Sequence, residues 1–396
     1  MRVLLYHDFG YMVGGAETYV FELIEDLRKK VDLYCVFHDK KTKIIDNKFY
    51  YRLNFSNFIE KFWAYHGFDF KFYNFFKKIL KDVQPDIIHI NNFYIHYFPI
   101  LKAIKEYPIV YTVHDYGIVC PKSWAIDNKG QICIKGPSFK CLLTGCISPY
   151  KTISFPFLKI KEYLIKKRIN LLIAPSKKLK EILEKKGFKN VKVLNHFIDL
   201  NKWKKVKKSY NSNKKIILYV GRLTKNKGVH VLIDAINKLP KKYQSKIILQ
   251  IVGEGNYVKE LKRMVTNFNL SSIVNFFGPI YDLEAKRRLY RNAYMVVVPS
   301  IWLEQFGIVG LEAMACSTAV IGSNIGGIPE WLIDKKTGLL FERGNSEDLK
   351  KKIIFLLDHP EIAKKYGDNG RKIVEKKFSK EDHIKKLIKI YKEIRN

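Results

Sequence analysis

The chain has 396 residues, 47% of them hydrophobic and 28% charged, with a formal net charge of +34. This length exceeds one ordinary core and predicts two domains of similar size, and the hydrophobic content excludes a disordered chain. The sequence enters a strand-like run at once, without a signal peptide, and holds no membrane-spanning apolar run, so we expect a cytoplasmic protein, at most peripheral on the inner face of a membrane.

The positive charge is distributed along the sequence. Lysine and arginine outnumber the acids in both halves of the chain, and neither a basic arm nor an RNA-binding signature is present. We therefore expect no specific nucleic-acid partner. The charge indicates either a solvated lysine-rich surface or attraction to anionic lipid headgroups.

The first strand-to-helix connection contains a glycine pair. Residues 2–8 read as an apolar strand, and a helical pattern through Tyr19 and Leu23 follows. Gly14 and Gly15 lie between them, where a glycine lets the backbone approach a ligand closely. A plain turn is the alternative interpretation.

Residues 49–76 contain 14 aromatic side chains with lysines interleaved. They indicate either core packing or a surface that contacts a membrane or a lipid-linked acceptor.

Two further strands are predicted at 87–91 and 109–114. His114 and Asp115 end the second one, so we expect them at the carboxyl edge of the sheet. There His114 would bind a sugar hydroxyl or a phosphate, with Asp115 fixing its tautomer; a structural histidine is the alternative.

Four of the six cysteines lie close together in the sequence, at Cys120, Cys133, Cys141 and Cys146. In a chain without an export signal, such a group predicts a structural zinc site. An iron–sulfur cluster, disulfides and unliganded thiols are the alternatives. Cys35 and Cys316 lie in apolar patterns and are expected in the core.

The second half repeats the strand, loop and helix order. After a polar linker at 201–215, a strand at 216–220 leads into a loop that carries Arg222 and Lys227, which would neutralise a diphosphate. The strand at 247–252 ends at Glu254, which either reaches a ligand or lies in an exposed turn. The strand at 274–277 ends at Gly278, where backbone groups would flank a nucleobase. A last helix, 383–394, is long enough to pack back across the first domain.

Residues 295–334 are the most informative stretch. A strand at 295–298, a loop containing Glu304 and a helix that begins at Ile308 predict a parallel α/β arrangement, whose loops face a ligand. The first backbone N–H groups of that helix, at Ile308 and Val309, form an anion site between Glu304 and Glu312. An anion flanked by two hydroxyl-binding carboxylates matches a nucleotide sugar. A helix cap and a solvated face are the alternative reading of the two glutamates.

Taken in order, Gly14-Gly15, His114-Asp115, Arg222 with Lys227, and Glu304 with Glu312 around Phe306-Gly307 make the chain resemble the family-4 retaining glycosyltransferases of the GT-B fold. The resemblance implies an α/β architecture of two Rossmann-like domains with parallel sheets that face each other across a cleft. Residues 1–200 would bind the acceptor and include a four-cysteine insert at 116–150. Residues 216–375 would bind the donor, and 376–396 would form a helix that packs back on the N-terminal domain.

The resemblance also implies the role of each residue. Arg222 and Lys227 would bind the diphosphate, Glu304 the transferred sugar, and Glu312 the ribose. His114 would contact hydroxyls of the donor sugar, and the backbone of Gly15 would approach the reacting centre. The donor-binding set is completed by Glu254, Phe306, Gly307, Ile308 and Val309.

The expected reaction retains the anomeric configuration and needs no catalytic cofactor. The acceptor would be a glycan, a lipid-linked sugar or a polysaccharide. No Asp-x-Asp pair occurs in the sequence, so no metal bridging the diphosphate is expected. Phe197 departs from the glycine commoner at that position of the family. The alternatives are a nucleotide-sugar epimerase and a non-catalytic scaffold that binds anionic lipid or nucleic acid.

Overall fold

The computed structural model describes residues 1–11, 14–37, 48–51, 62–63, 69–92, 96–127, 130–147, 155–203 and 214–395. Residues 52–61 and 64–68 of the aromatic segment and 204–213 of the predicted linker lie outside the described residues. The chain divides into two compact units, the first made of residues 1–195 and 381–396, the second of residues 196–380.

The first unit has a parallel sheet that contains seven described strands, in the order β3-β2-β1-β4-β5-β6-β7. The strands are β1 Arg2–His7, β2 Asp32–Phe37, β3 Phe49–Tyr51, β4 Ile87–Asn92, β5 Ile109–Thr112, β6 Leu171–Ala174 and β7 Val191–Val193. The helices are α1 Gly15–Leu27, α2 Phe70–Val83, α3 Tyr97–Ala103, α4 Phe139–Leu143, α5 Phe155–Arg168 and α6 Lys177–Lys185.

The second unit has a parallel sheet with six described strands, in the order β10-β9-β8-β11-β12-β13. The strands are β8 Lys215–Val220, β9 Ile247–Val252, β10 Val274–Phe277, β11 Met295–Val298, β12 Ala319–Ser323 and β13 Leu339–Phe341. The helices are α7 Val229–Asn237, α8 Lys241–Gln244, α9 Val258–Asn267, α10 Leu283–Asn292, α11 Ile308–Ala315, α12 Ile328–Trp331, α13 Ser346–Asp358 and α14 Pro360–Lys377, and α15 Lys380–Arg395 follows them in the chain.

The central strands are buried along their whole length because helices cover both faces of each sheet. All four residues of β11 are buried, and so are all six residues of β4. Parallel sheets sandwiched between helices favour continuous β-branched runs of this kind over alternating patterns. The predicted parallel α/β class is confirmed in both units.

Each sheet has one point at which the strand order reverses. In the first sheet it lies between β1 and β4, which pair in parallel from Val3 to His7. In the second sheet it lies between β8 and β11. Loops that leave the carboxyl ends of such a strand pair diverge to opposite faces and leave a crevice that binds ligands. Functional side chains are therefore sought in the loops after β1, β4, β8 and β11.

The C-terminal helix α15 belongs mainly to the first unit. The Tyr19 hydroxyl lies 2.9 Å from His383 Nε2, and the Tyr391 hydroxyl lies 2.5 Å from His89 Nδ1. Burial lowers the pKa of His383 to about 4 and that of His89 to about 3, so both imidazoles are neutral at pH 7. These two buried hydrogen bonds fix the helix against α1 and against strand β4.

None of the described helices is both long enough and apolar enough to cross a bilayer.

Candidate active site

The loop after β8 and the loop after β11 meet through an ion pair. Lys227 Nζ lies 2.8 Å from Oε2 and 3.1 Å from Oε1 of Glu304. Glu304 is 6% exposed. The pair stands at the reversal point of the second sheet, where two residues 77 positions apart in sequence are brought together by strand order.

Two further donors hold the Glu304 carboxylate. The Ser300 hydroxyl and the Trp302 indole N–H donate to Oε2, at 2.8 and 2.9 Å. Burial alone would raise the pKa of Glu304, but the Lys227 charge and the bonds from Lys227, Ser300 and Trp302 outweigh it and lower the pKa. Glu304 is therefore ionised and fixed in orientation at pH 7.

Gly228 allows this close approach of the two loops. It lies in the left-handed region at φ +72°, and a Cβ there would lie 1.9 Å from the Pro299 carbonyl oxygen. Ile301 N–H donates to the Asn226 carbonyl at 3.0 Å, which ties the same two loops together. Any side chain at position 228 would push Lys227 away from Glu304.

Helix α11 begins directly after the Glu304 loop. Gly307, at φ +88°, precedes it, and the Trp331 indole N–H donates to the Phe306 carbonyl at 2.5 Å. Ile308 and Val309 form the first turn and are half-buried. Backbone N–H groups of a first helical turn have no partner within the helix and carry the positive end of its dipole, so this turn can bind an anion.

Glu312 lies on the second turn of α11 and is 3% exposed. The Lys286 ammonium donates to Oε1 at 2.5 Å, and the Tyr290 hydroxyl donates to Oε2 at 2.7 Å. Tyr290 is fully buried, and burial raises its pKa well above its usual value, so the hydroxyl stays protonated and donates. Helix α10 thus orients the second glutamate.

Arg222 and Glu254 lie in neighbouring loops of the second unit, and both are exposed. Leu223 N–H donates to the Glu254 carbonyl at 2.7 Å, which joins the loop after β8 to the loop after β9. The Tyr281 hydroxyl donates to Glu254 Oε1 at 3.2 Å. An open pocket of about 590 Å³ lies here. Its lining residues are Leu223, Gly253, Glu254, Gly255, Val258, Lys262, Phe276, Phe277 and Gly278.

His114 lies just beyond the carboxyl end of β5 in the first unit. It is half-buried, its Nε2 lies 3.3 Å from Asn91 Oδ1, and its ring centroid lies 5.1 Å from that of Tyr19. The Asp115 carboxylate accepts a hydrogen bond from Gly117 N–H at 2.5 Å. Gly15 is the exposed first residue of α1. His114 and Gly15 both belong to the first unit.

The sequence interpretation missed three buried polar residues of this unit. His7 ends β1 and its Nε2 lies 3.4 Å from Glu17 Oε1, while Asn91 lies near the end of β4. Among the described residues, neither ring nitrogen of His7 has a hydrogen-bond partner, and neither has Asn91 Nδ2. The reversal point between β1 and β4 thus holds a group of buried polar side chains. Only the strand order, which the sequence does not contain, reveals this grouping.

The second unit also contains side chains that the sequence interpretation missed: Lys286, Tyr290, Ser300 and Trp302. Ser300 and Trp302 lie within four residues of Glu304 and could have been found from the loop that follows β11. Tyr290 and Lys286 are more than 20 residues from Glu312 and carry no local signal.

The four clustered cysteines all line one small cavity of about 20 Å³. All of them are free thiols. Within the described ranges, no cluster of three or more His, Cys, Asp or Glu side chains is arranged to hold a metal ion. The zinc site therefore stays a prediction, which the zinc content of the purified protein would test.

The fold and the paired loops define a glycosyltransferase of the two-Rossmann-unit type. The model described as "Glycosyl transferases group 1" matches residues 201–373, and that described as "Glycosyltransferase Family 4" matches residues 13–202. The chain belongs to the family-4 glycosyltransferases of the GT-B fold. The predicted family is confirmed.

Relatives and solved structures agree with this assignment. An uncharacterized glycosyltransferase of Methanocaldococcus jannaschii is 28% identical over 100% of this chain and 99% of its own length. Sucrose-phosphate synthase of Thermosynechococcus elongatus superposes with a TM-score of 0.78 at 22% identity, covering 99% of this chain and 98% of that one. HepE of Anabaena, in complex with UDP-glucose, superposes with a TM-score of 0.76 at 20% identity over 99% and 100% of the two chains. At these identities the two structures demonstrate the fold alone.

Proposed function

We propose that the protein transfers a sugar from a nucleoside-diphosphate sugar to a hydroxyl group of a glycan, lipid-linked or polysaccharide acceptor, with retention of the anomeric configuration and without a catalytic metal. The observation that carries this proposal is the buried Lys227–Glu304 pair beside the first turn of α11. It combines a cation, a hydroxyl-binding carboxylate and free backbone donors at the reversal point of one sheet.

Each part of the donor has a matching group in the second unit. Lys227, Arg222 and the N–H groups of Ile308 and Val309 would bind the diphosphate. Glu304 would accept hydrogen bonds from the transferred sugar, and Glu312 from the ribose. Complexes of HepE with UDP and with UDP-glucose support a nucleotide sugar as donor.

The pocket beside Glu254 supports the position proposed for the nucleobase. It lies between the ends of β9 and β10, and Gly278 lines it, as the sequence interpretation expects of a residue beside the base. Its volume of about 590 Å³ exceeds that of a single base, which leaves room for the adjoining ribose. The loop from Gly253 to Gly255 contacts the loop that carries Arg222, so base and diphosphate sites are continuous.

Bond cleavage needs positive charge at the departing diphosphate. The bond between the anomeric carbon and the β-phosphate oxygen breaks, and its electron pair leaves with the diphosphate. The acceptor oxygen bonds to the same face of the anomeric carbon, and its proton passes to the departing phosphate oxygen. Lys227, Arg222 and the helix N–H groups stabilise the charge that develops there, so protein groups supply the role that a bridging metal has in other transferases.

The first unit would bind the acceptor. His7, Asn91 and His114 are donors and Glu17 is an acceptor around the reversal point of its sheet. A hydroxyl group both donates and accepts, so it can pair with each of them, whereas a phosphate would be repelled by Glu17. A lipid-linked acceptor would bring the protein to the inner face of the cell membrane as a peripheral protein.

Purified protein should be incubated with a panel of nucleotide sugars, and release of nucleoside diphosphate should be measured with and without a chelator. We expect release from one donor, unaffected by the chelator and lost in Lys227→Ala and Glu304→Ala. Lys225→Ala is the matched control, because Lys225 is exposed in the same short turn. NMR of the product gives its anomeric configuration.

Acceptor-free release can be slow, so each donor should also be tested for binding by calorimetry. Binding of no donor would refute the transferase proposal and favour the non-catalytic scaffold. Release of an epimerised nucleotide sugar without loss of the diphosphate would favour the epimerase.

A further inference from the structure

Exposed large apolar side chains concentrate in the cysteine insert of the first unit. Eleven such side chains are exposed among the described residues, and four of them lie between Cys120 and Cys146. Trp124 is 38% exposed, Ile132 51%, Phe139 67% and Leu143 74%. A short segment is expected to bury its few large apolar residues. The exposure of four of them therefore indicates a surface that contacts a membrane or another protein.

The insert has an inner and an outer side. Its four cysteines line the small internal cavity together with Val119, Ile126 and Ile147. Cys133 N–H donates to the Ala125 carbonyl and Cys146 N–H to the Cys141 carbonyl, both at 2.9 Å, so the backbone is folded around that cavity. The cysteines and three buried aliphatic side chains therefore surround the cavity, while the four large apolar side chains named above are exposed.

Helix α4 presents the most exposed pair. Phe139 and Leu143 are four residues apart and so share one face of the helix, and no residue of the helix is buried. Lys140 is exposed beside Phe139. The Lys122 ammonium lies 5.6 Å from the centre of the Trp124 ring. Lysine and aromatic side chains on one surface are typical of proteins that lie at the lipid headgroup level.

The net charge of the insert is positive. Residues 116–147 contain four lysines and a single acid, Asp127. Lysines of other elements adjoin it: a Cβ on Gly136 would lie 2.9 Å from Lys186 Nζ, and a Cβ on Gly187, which follows Lys186, would lie 3.8 Å from Lys166 Nζ. The basic surface therefore continues from the insert to the end of α5, where Tyr163 is 59% exposed with Lys167 Nζ 5.6 Å from its ring centre.

We propose that the outer surface of the cysteine insert, formed by Trp124, Ile132, Phe139 and Leu143 with their flanking lysines, docks on a bilayer that contains anionic lipid. The apolar side chains enter the headgroup region, and the lysines neutralise lipid phosphates. The proposal deepens the membrane association inferred above, and its test needs neither donor nor acceptor, so failure of one proposal leaves the other open to its own test.

The full-length protein should be sedimented with phosphatidylcholine vesicles with and without phosphatidylglycerol. We expect binding that requires phosphatidylglycerol and weakens with salt. Phe139→Ser with Leu143→Ser should weaken it about tenfold or more, because two large apolar side chains no longer enter the bilayer. Lys122→Glu with Lys140→Glu should abolish the preference for phosphatidylglycerol.

Matched controls come from α2, whose Phe70 is 71% exposed and whose Lys78 and Lys81 are exposed. Phe70→Ser removes one large apolar side chain, as Phe139→Ser alone does, and the double change Lys78→Glu with Lys81→Glu alters the net charge as much as the double change in the insert. Both variants lie outside the insert and should bind vesicles like the wild type. All variants should keep the circular dichroism spectrum of the wild type.

Three results would overturn the proposal. They are absence of vesicle binding, unchanged binding of the Phe139 and Leu143 double variant, and an equal loss in the α2 controls. A self-associated wild type that becomes monomeric in the double variant, without vesicle binding, would identify a second copy of the chain as the partner instead.

Discussion

One ammonium group, Lys227 Nζ, contacts both carboxylate oxygens of Glu304, at 2.8 and 3.1 Å. The carboxylate is almost wholly buried, and its other donors, Ser300 and Trp302, are neutral. Among the hydrogen bonds to Glu304 within the described residues, Lys227 therefore supplies the one full positive charge. The same residue is proposed to bind the diphosphate, so Lys227 contributes both to stability and to the proposed function.

Lys227→Met should lower both stability and activity. It leaves the Glu304 charge buried with neutral donors alone, and we expect a loss of about 2 kcal/mol in the free energy of unfolding, reduced from the value for a fully buried pair because Lys227 is 19% exposed. Transfer should fall by about 10² or more. Urea unfolding and the donor assay measure the two effects.

Adding Glu304→Gln to Lys227→Met separates the effect on stability from the effect on transfer. The neutral pair no longer buries a charge, so stability should recover in part while transfer stays lost. Lys225→Met is the control for loss of a lysine from the same turn. A Lys227→Met variant as stable as the wild type would show that Glu304 does not depend on this ion pair.

Tyr290→Phe should weaken nucleotide binding, although Tyr290 is proposed to act through Glu312 and not by touching the nucleotide. The change removes the donor at 2.7 Å from Glu312 Oε2 and leaves that oxygen without its buried partner. We expect nucleoside-diphosphate affinity to fall about tenfold, the effect of one charge-assisted hydrogen bond. Calorimetry measures the affinity, and a nucleotide without ribose hydroxyls should bind wild type and variant alike.

Tyr294→Phe is the matched control, since its hydroxyl donates at 2.6 Å to the Leu356 carbonyl and is equally buried. It should cost stability and leave nucleotide affinity unchanged. Equal affinity losses in both variants would mean that Tyr290 acts through general stability and does not position Glu312.

Val258→Trp should block the pocket beside Glu254. Val258 begins α9, lines the pocket and is half-buried, so a larger ring would extend into the open space. We expect nucleotide binding to fall while the thermal unfolding temperature stays within a few degrees of the wild type. Val231→Ile, on α7, is a control for an added side-chain volume elsewhere in the unit. Wild-type nucleotide affinity in Val258→Trp would exclude this pocket as the base site.

The sequence predicts the strands of the second unit well because their signal is local. The runs at 216–220, 247–252 and 295–298 are β-branched and are closed by glycine or proline, and each one forms a strand with bounds within a residue of the predicted ones. The loops that carry Lys227 and Glu304 follow from the same signal, since a loop after a parallel strand lies at the ligand edge.

Pairings between distant residues could not be predicted in this way. Tyr290 and Glu312 meet because α10 packs beside α11, and His7 meets Glu17 where α1 returns over the end of β1. A single Tyr or His in an apolar pattern looks like any core residue. The role of the four cysteines was also ambiguous, because spacing gives clustering but not the distances between sulfur atoms.

The first unit should lose stability in mild acid because of two buried histidines. In the folded state the pKa of His383 is lowered to about 4 and that of His89 to about 3, mainly by burial, whereas an unfolded histidine titrates near 6.5. Below pH 6.5 the unfolded chain takes up protons that the folded chain does not. The contribution of these two histidines to the free energy of unfolding is therefore complete above about pH 6.5. It falls by about 1.4 kcal/mol per pH unit for each histidine as the pH drops toward the pKa of the folded state.

Replacing one of these histidines should flatten this dependence. His383→Gln loses the bonds to Tyr19 and to the Asn195 carbonyl, so it should be less stable than the wild type at pH 7, but its stability should fall less steeply between about pH 6.5 and pH 5. Urea unfolding followed by circular dichroism measures both values. An unchanged slope in His383→Gln would show that the pKa of this imidazole is the same in the folded and unfolded states, because only a group whose pKa differs between the two states contributes to the pH dependence.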